Sequence, residues 1–469
     1  MNPAFYHALM RTASFFKYYG HIRYRSVPVA RAMFYAFHRK EMKRLSKRRL
    51  RAYPNMKARK RKLYTQLIRT EPLRRLPYRP HPRLPGKIIY SPHAVQGISV
   101  HPRTSIVCGQ LRSDRKMLGR SQVPFCIPAQ MRPLNKKSYR ILLRHIRRTM
   151  RNKRVPSYLR TRSFYRWMAA QLVDVMRIID GTERLMRKNR IKGVVQHSTV
   201  HPLGYILMHM AKQRGIRTIN LQHGLNDDYQ LMSSYVHYYV AWGSMHKKRL
   251  TLLGVPARKI ALIGSPRFDV IYRRKWLHKA QLARKLKYSA KKFVFVYPEQ
   301  PLNIRKNRAA LRLIVRSLTP YRRKVILIVK KHPRQRKSTL SRHTLRKLRY
   351  IRQITHRHLH LYHLLKGSNA VIVQFSTAGI EAMLFRRPTI ALAMYKNTLK
   401  HEFSYYASSR WITSARGQRQ MNAITRKMIS SKRYRNAVLR KQNRYLRSAY
   451  RVKVAGPVVK KYIRARTGR

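Results

Sequence analysis

Apolar positions along this chain fall into two recurring patterns, short continuous runs and longer stripes with helical spacing. The longest stripe covers residues 162–190 and repeats at intervals of three and four residues, through Phe164, Met168, Leu172, Val175 and Ile179. Such spacing predicts one buried face of a helix. Short apolar runs with the length of buried strands stand at 87–90, 104–108, 191–195 and 217–222. A second helix is predicted over 203–214, with Gly215 ending it.

Strands and helices thus alternate in the first half of the chain, and the same order restarts in the second half. Apolar runs predict further strands at 293–297, 325–329, 371–375 and 389–392, with a short helix over 378–385. Alternation of this kind is typical of parallel sheets with right-handed crossovers. We therefore predict an α/β fold with two Rossmann-like domains that face a cleft, over residues 86–269 and 270–400.

The two ends of the chain differ from these domains in composition. Residues 1–85 are predicted to form a basic N-terminal extension, because 38–63 is dense in arginine and lysine and a proline-rich stretch follows. Such a run is typical of a solvated face or a disordered arm, and an anchor for anionic lipid headgroups is the functional alternative. Residues 401–469 are predicted to form a basic helical tail.

Net charge is the anomaly of the composition. The 469 residues include 109 lysines and arginines against 12 aspartates and glutamates, which gives a formal charge of +97. A charge of this size attracts polyanions such as nucleic acid, anionic membranes and phosphate-bearing polymers. The basic residues are spread over the whole chain, whereas a binding patch is normally local. Charge therefore favours an anionic acceptor or surface without locating a site.

Several classes of protein are disfavoured by what the sequence lacks. Cys108 and Cys126 are too few for a disulfide framework or a four-cysteine zinc site, and they fit a reducing cytoplasm. No apolar run reaches about 18 residues, and the first residues lack a signal-peptide pattern. We therefore expect a cytoplasmic protein whose contact with the inner face of the cell membrane is at most peripheral.

Motifs of three common enzyme classes are also missing. The sequence contains no Walker A motif, no GxGxxG and no serine nucleophile elbow, which disfavours P-loop NTPases, dinucleotide oxidoreductases and α/β-hydrolases. Four closely spaced histidines, the first three in alternating positions, resemble a metal-binding run: His356, His358, His360 and His363. No acid or cysteine supports them, so no metal site is expected.

Glycine or polar residues follow three strands of the predicted first domain. They are Gln222-His223-Gly224, Trp242-Gly243 and Gly264-Ser265-Pro266-Arg267. In open α/β sheets the carboxyl ends of the strands form one edge, and ligands bind there. We predict that His223 acts as a general base on an acceptor hydroxyl, with Asp227 and Asp228 orienting it or binding the acceptor. A structural histidine bonded to the backbone is the alternative.

Two segments of the predicted second domain have features of a diphosphate site. Their candidate residues are Lys331, His332, Ser376, Thr377, Gly379 and Glu381. The segment at 376–379 lies where a strand ends and a helix begins, and the amino terminus of a helix suits a phosphate. Glu381 follows one turn later, where a carboxylate can accept a hydrogen bond from a ribose hydroxyl. Lys331 and His332 end another strand and can pair with a diphosphate. The alternatives are an ordinary capped helix and an ordinary basic loop.

With these motifs in place, the chain resembles the two-Rossmann-domain (GT-B type) transferases that build bacterial surface polymers. The similar families are the capsule polysaccharide glycosyltransferases and the CDP-glycerol glycerophosphotransferases of teichoic acid synthesis. The UDP-N-acetylglucosamine 2-epimerases share the architecture and a similar start of the helix. The likeness covers about 165–400 and rests on the segments 222–224, 264–269, 331–333 and 376–381.

The resemblance implies roles for individual residues. It implies that His332 contacts the donor phosphate, Ser376 and Thr377 the diphosphate, and Glu381 the ribose. It also implies that His223 serves as the base or positions the acceptor. The glycerophosphotransferases usually have His-Gly-Thr-Pro where this chain has His223-Gly-Leu-Asn. That departure favours a sugar nucleotide over CDP-glycerol.

The sequence therefore predicts a transferase that moves a sugar or a glycerol phosphate from a nucleotide-activated donor. The donor carries CDP, UDP or CMP and is a substrate, and no tightly bound cofactor is expected. The acceptor is predicted to be a cell-surface polysaccharide or a teichoic-acid-like chain, either an anionic polymer or a lipid-linked one. Two alternatives stay open: an enzyme similar to the 2-epimerases, and a polyanion- or nucleic-acid-binding protein on a transferase-like scaffold.

Overall fold

The computed structural model describes residues 3–46, 59, 62–63, 66–67, 86–119, 121–222, 224–225, 236–252, 254–300, 304–332, 335, 338–355, 358–374, 376–394, 409–450 and 452–468. The chain forms two compact units. The first unit comprises Met1–Arg267 and Val454–Arg469, and the second comprises Phe268–Lys453. The two ends of the chain are thus part of these units, whereas the sequence patterns assigned them to separate extensions.

A parallel sheet occupies the centre of the described part of the first unit. A short antiparallel hairpin of β1 (Arg23–Tyr24) and β2 (Val27–Pro28) precedes it. The sheet then contains β3 (Lys87–Tyr90), β4 (Ser105–Cys108), β5 (Phe125–Cys126), β6 (Ile191–Gln196), β7 (Arg217–Leu221), β8 (Tyr238–Ala241) and β9 (Ile260–Leu262), in the order β5-β4-β3-β6-β7-β8-β9. The strands predicted from apolar runs are confirmed, and β5, which has only two residues, was not predicted.

Helices surround this sheet. They are α1 (Pro3–Tyr19), α2 (Val29–Ala32), α3 (Phe34–Leu45), α4 (Lys136–Arg151), α5 (Arg162–Lys188), α6 (Pro202–Gln213) and α7 (Ser244–Leu252). The predicted stripe of α5 is buried along its whole length, and the Thr161 hydroxyl caps the helix by accepting the N–H of Phe164. Gly215 has a φ of +66° just beyond α6, as expected of a residue that ends a helix. No helix in the described ranges is long and apolar enough to cross a membrane.

Helices α1 and α3 contribute side chains to the core of the first unit, so the described residues 3–46 do not form a separate extension. Phe15 on α1 is fully buried and stacks on Phe37 of α3 with ring centroids 4.4 Å apart. Phe164 of α5 meets Phe15 edge-on at 5.9 Å. The large apolar area of these rings outweighs the basic character of the segment. Most of the remainder of the predicted extension, 47–85, lies outside the described residues.

Hydrogen bonds and ion pairs to a few acidic residues fix the position of this amino-terminal segment. The Asp180 carboxylate on α5 accepts hydrogen bonds from the Tyr24 hydroxyl at 2.9 Å and from Arg25 Nε at 2.7 Å. Glu183 pairs with Arg25 at 2.6 Å. On α1 and α3, Arg11 pairs with the buried Glu41 at 2.7 Å. These carboxylates hold sequence-distant segments of the first unit together.

A second parallel sheet lies in the described part of the second unit. Its strands are β10 (Phe293–Pro298), β11 (Val325–Lys330), β12 (Ile351–Ile354), β13 (Ala370–Val373), β14 (Thr389–Leu392) and β15 (Thr413–Ala415), in the order β12-β11-β10-β13-β14-β15. Its helices are α8 (Val270–Arg273), α9 (Lys279–Leu286), α10 (Ile304–Leu318), α11 (Arg342–Lys347), α12 (Leu361–Gly367), α13 (Ala378–Leu384), α14 (Gln418–Ser430) and α15 (Lys432–Ala449). The prediction of an α/β fold with two Rossmann-like domains is confirmed.

The predicted basic tail divides between the two units. Met421 and Met428 of α14 and Val438 of α15 lie in the hydrophobic core of the second unit. The last helix, α16 (Gly456–Thr467), lies in the first unit. There a Cβ at Gly193 of β6 would meet the Thr467 side chain at 2.5 Å. The helices are basic, as predicted, but their apolar faces are parts of two cores.

Candidate functional site

Gln222 holds the loop after β7 against the end of β8. Its Oε1 accepts the backbone N–H of Trp242 at 2.9 Å, and its Nε2 donates to the carbonyl of Gly224 at 2.9 Å. Its own carbonyl accepts the indole N–H of Trp242 at 2.8 Å. Both side chains are buried. Gln222, predicted as a cleft residue, therefore ties Gly224 to Trp242 at the ends of β7 and β8.

A small depression opens at the carboxyl edge of the first sheet. Its volume is about 20 Å³, room for about one water molecule, and its lining includes His93, Gln96, Gln222, Gly264, Ser265 and Arg267. The loops that form it approach closely. A Cβ at Gly97 would lie 2.1 Å from the Pro266 carbonyl oxygen, and Gly97 has a φ of +78°. Only glycine fits this contact without strain.

Four predicted residues of the first unit, Gln222, Gly264, Ser265 and Arg267, are thus brought together around one depression. Gly224 adjoins them through its hydrogen bond to Gln222. The predicted catalytic residues His223, Asp227 and Asp228 lie outside the described residues. Their assignment stays a prediction.

Sequence reasoning missed a histidine pair at the same edge. His197 follows β6, and its Nδ1 lies 2.7 Å from Ser91 Oγ, just after β3. The His197 backbone N–H also donates to Ser91 Oγ, at 3.1 Å. The His93 and His197 rings meet edge-on with centroids 4.5 Å apart. The rule that selected Gln222, a polar residue just after a strand, would have selected these residues too. Two imidazoles beside a depression can bind a hydroxyl and take up its proton.

The start of α13 in the second unit follows β13 directly. Ser376 Oγ accepts the N–H of Ala378 at 3.2 Å, and the Ser376 carbonyl accepts the N–H of Gly379 at 2.9 Å. Thr377 makes no side-chain capping bond. Ser376 therefore takes part in capping the helix, which was the alternative to a diphosphate site, and the predicted diphosphate contacts of Ser376 and Thr377 stay predictions. Glu381 lies one turn into α13 and is buried, 6% exposed.

Lys331 and His332 follow β11, two strands away from β13 in the sheet. Because β10 lies between them, the two loops are separated by roughly 10 Å at the same edge, two strand spacings. The preceding Lys330 is buried and donates to the carbonyls of Thr355 and Leu359. Burial lowers the pKa of Lys330 to about 8.

The predicted histidine run has structural contacts where it is described. His360 stacks on Trp276 with ring centroids 5.5 Å apart, and His363 Nδ1 accepts the backbone N–H of Leu277 at 3.1 Å. His356 lies outside the described residues. Among the residues that the structure describes, no group of three or more histidines, cysteines or acids is arranged to hold a metal ion.

Comparison with known families identifies the relatives of this fold. The family model for UDP-N-acetylglucosamine 2-epimerase matches residues 188–454, more than half of the chain. The chain belongs to this family. The match runs from β6 to the end of α15, so it includes the second sheet and the loops after β6, β7 and β9, whereas Ser91, His93 and Gln96 precede it. No curated protein matches the sequence.

Solved structures of similar fold include members of the same family. A UDP-N-acetylglucosamine 2-epimerase structure from Listeria monocytogenes, described as putative, has a TM-score of 0.54 at 10% identity, over 80% of this chain and 95% of that one. The Neisseria meningitidis 2-epimerase bound to UDP-GlcNAc has a TM-score of 0.52 at 11% identity, over 80% and 98%. Anabaena HepE in complex with UDP and glucose has a TM-score of 0.52 at 10% identity, over 80% and 99%. At this identity the likeness shows the fold alone.

The family membership refines the prediction made from sequence. The 2-epimerases were predicted to share the architecture, and this chain is a member of their family. The chain therefore belongs to a family of enzymes and has two Rossmann-like domains. The transferase class and the surface-polymer acceptor are not established by this membership.

Proposed function

We propose that this chain is a nucleotide-sugar transferase that binds its donor at the carboxyl edge of the second sheet. The observation that carries the proposal is the arrangement of two loops around β10. Lys331 and His332 stand on one side, and Ser376 and Thr377 on the other. Cationic side chains and hydroxyl groups are the usual partners of a diphosphate. Proteins of similar fold support a sugar nucleotide, since the Neisseria 2-epimerase is bound to UDP-GlcNAc and HepE to UDP and glucose.

In the proposed reaction, the oxygen of an acceptor hydroxyl attacks the anomeric carbon of the sugar. The bond between that carbon and the phosphate oxygen breaks, and the nucleoside diphosphate leaves. Lys331 and His332 stabilise the charge that develops on the leaving phosphate. The hydroxyl proton goes to a histidine of the first unit, His223 or the pair beside Ser91. Imidazole suits this step because its pKa lies near neutral pH.

Four carboxylates in the described part of the first unit have structural partners. Asp180, Glu183 and Glu41 pair with arginines, and the Asp114 carboxylate accepts the backbone N–H groups of Gln110 and Leu111. None of these four is assigned a role in the proposed reaction.

Epimerisation at C2 of UDP-N-acetylglucosamine is the second candidate, and the family match favours it. The two reactions differ in what they do to the C2 hydrogen. We expect that incubation with UDP-GlcNAc in D2O leaves C2–H intact, and that UDP is released when an acceptor glycan is added. Deuterium at C2 without any acceptor, detected by NMR, would instead establish epimerisation.

A matched pair of variants tests the donor site. Thr377→Val removes a hydroxyl at the proposed diphosphate site, whereas Thr425→Val removes a hydroxyl that is fully buried on α14. Loss of one hydrogen bond to a charged group is expected to weaken UDP binding roughly 10- to 100-fold in Thr377→Val. Thr425→Val should bind UDP as the wild type does in calorimetry. Equal responses to UDP, inorganic polyphosphate and heparin, unchanged in both variants, would indicate charge binding and contradict the proposal.

A further inference from the structure

Glu299 is a buried carboxylate at the carboxyl end of β10. Its backbone N–H donates to the Lys330 carbonyl at 2.9 Å, which fixes its position between the loops after β11 and β13. The residue is only 2% exposed, and neither carboxylate oxygen makes a hydrogen bond of good geometry to a described residue, although the Thr339 hydroxyl lies close enough to favour the charged form. A buried acceptor without a donor costs free energy. Few acids occur in this chain, so a carboxylate retained at such a cost calls for a functional explanation.

Other acceptors at the end of β10 share this property. Gln374, after β13, donates to the Tyr297 hydroxyl at 2.6 Å, and its remaining amide atom has no partner among the described residues. Asn307 donates to the Gln300 carbonyl at 2.9 Å, and its Oδ1 is likewise without one. Tyr297 and Gln300 flank Glu299 in the chain. Two further buried acceptors without a described donor therefore belong to side chains that are hydrogen-bonded to Tyr297 and Gln300, near the end of β10.

Charge near Glu299 limits the ligands that fit. Burial raises the pKa of the Glu299 carboxyl, while the Thr339 hydroxyl and the Lys331 ammonium oppose that shift. A phosphate carries only acceptors at neutral pH and is repelled by a carboxylate, so it fits the Lys331 side. A sugar offers several hydroxyl donors on adjacent carbons. Surplus acceptors beside a cationic loop therefore match a sugar joined to a diphosphate.

We propose that Glu299 binds the hydroxyl groups of the sugar carried by the nucleotide donor. This inference rests on the proposed donor site in the second unit and assigns the sugar subsite within it. The phosphates then lie toward Lys331 and Thr377, and the sugar lies over the end of β10. Glu299 selects for donors whose hydroxyls face it.

The test compares nucleotide and sugar nucleotide on the full chain. In calorimetry, Glu299→Gln should bind UDP as the wild type does and UDP-glucose about 10- to 100-fold more weakly, because a hydrogen bond to a charged group is lost. Glu41→Gln is the matched control. Glu41 is also 2% exposed but pairs with Arg11 in the first unit, so its loss should leave both affinities unchanged.

Deoxy analogues of UDP-glucose give a second measurement, and its wild-type part does not depend on how well the variant folds. In the wild type, one analogue lacking a hydroxyl should bind more weakly than UDP-glucose. In Glu299→Gln the same two ligands should bind equally, since the coupling is lost. Equal affinity of UDP-glucose and every deoxy analogue in the wild type would overturn the sugar assignment. So would a parallel loss of UDP and UDP-glucose binding in Glu299→Gln. If the wild type bound no uridine nucleotide at all, the proposed function would fail first, and this inference with it.

Discussion

Replacement of Phe15 measures how much the packing of α1 stabilises the first unit. Its side chain is fully buried, stacked on Phe37 at 4.4 Å and edge-on to Phe164 at 5.9 Å. Phe15→Ala leaves a cavity among these rings. Replacements of buried phenylalanine by alanine cost about 3–5 kcal/mol, combining lost burial with the cavity that remains. The stacked and edge-on contacts place Phe15 toward the upper part of that range.

The assay is differential scanning calorimetry of Phe15→Ala against Met10→Ala. Met10 lies on the same helix but is 41% exposed, so its truncation should cost less than about 0.5 kcal/mol. For domains of a few hundred residues, each kcal/mol shifts Tm by roughly 2–4 °C. Phe15→Ala should therefore lower the transition of the first unit by about 6–20 °C. Equal small shifts in both variants would refute the conclusion that α1 is part of this core.

Two further predictions concern the loops and the second sheet. Gly97→Ala should destabilise the first unit by at least about 1–3 kcal/mol in urea unfolding, because its Cβ would meet the Pro266 oxygen at 2.1 Å and its φ is +78°. Gly119→Ala is the control. Gly119 has a φ of +57° but open space around it, so its replacement should lower the free energy of unfolding clearly less. Burial lowers the pKa of Lys330 to about 8 from its ordinary 10.5, so the unfolded chain holds this proton more tightly and stability relative to Lys330→Met should rise between those pH values. A flat difference in unfolding free energy from pH 7 to 10.5 would contradict the stated burial.

The strands illustrate how much local pattern can predict. The runs at 293–297 and 325–329 are continuous and apolar because β10 and β11 are covered on both faces. By contrast, β12 buries only its two terminal residues, Ile351 and Ile354, and β15 has only three residues at the sheet edge. Short edge strands carry too few apolar residues to be distinguished from loops.

The candidate site shows the same division. Residues after β7 and β9 were predicted because each stands beside a clear strand end. Ser91 and His197 were missed because only the strand order β3-β6-β7 shows that their loops share that edge. Glu299 was missed because what distinguishes it is the shortage of hydrogen-bond donors around its buried carboxylate, and only three-dimensional contacts reveal that shortage.

By itself, the sequence determined the class of fold and the type of chemistry. Apolar periodicity is local, so it specified the parallel α/β units, and the motifs at the strand ends resembled those of the surface-polymer transferases and the 2-epimerases. Only the tertiary structure decided which unit each end of the chain joins and which acids are structural. Asp180 meets Tyr24 and Arg25 across more than 150 residues of chain. Such contacts depend on the packing of whole helices, and no local pattern of hydrophobic and charged residues encodes them.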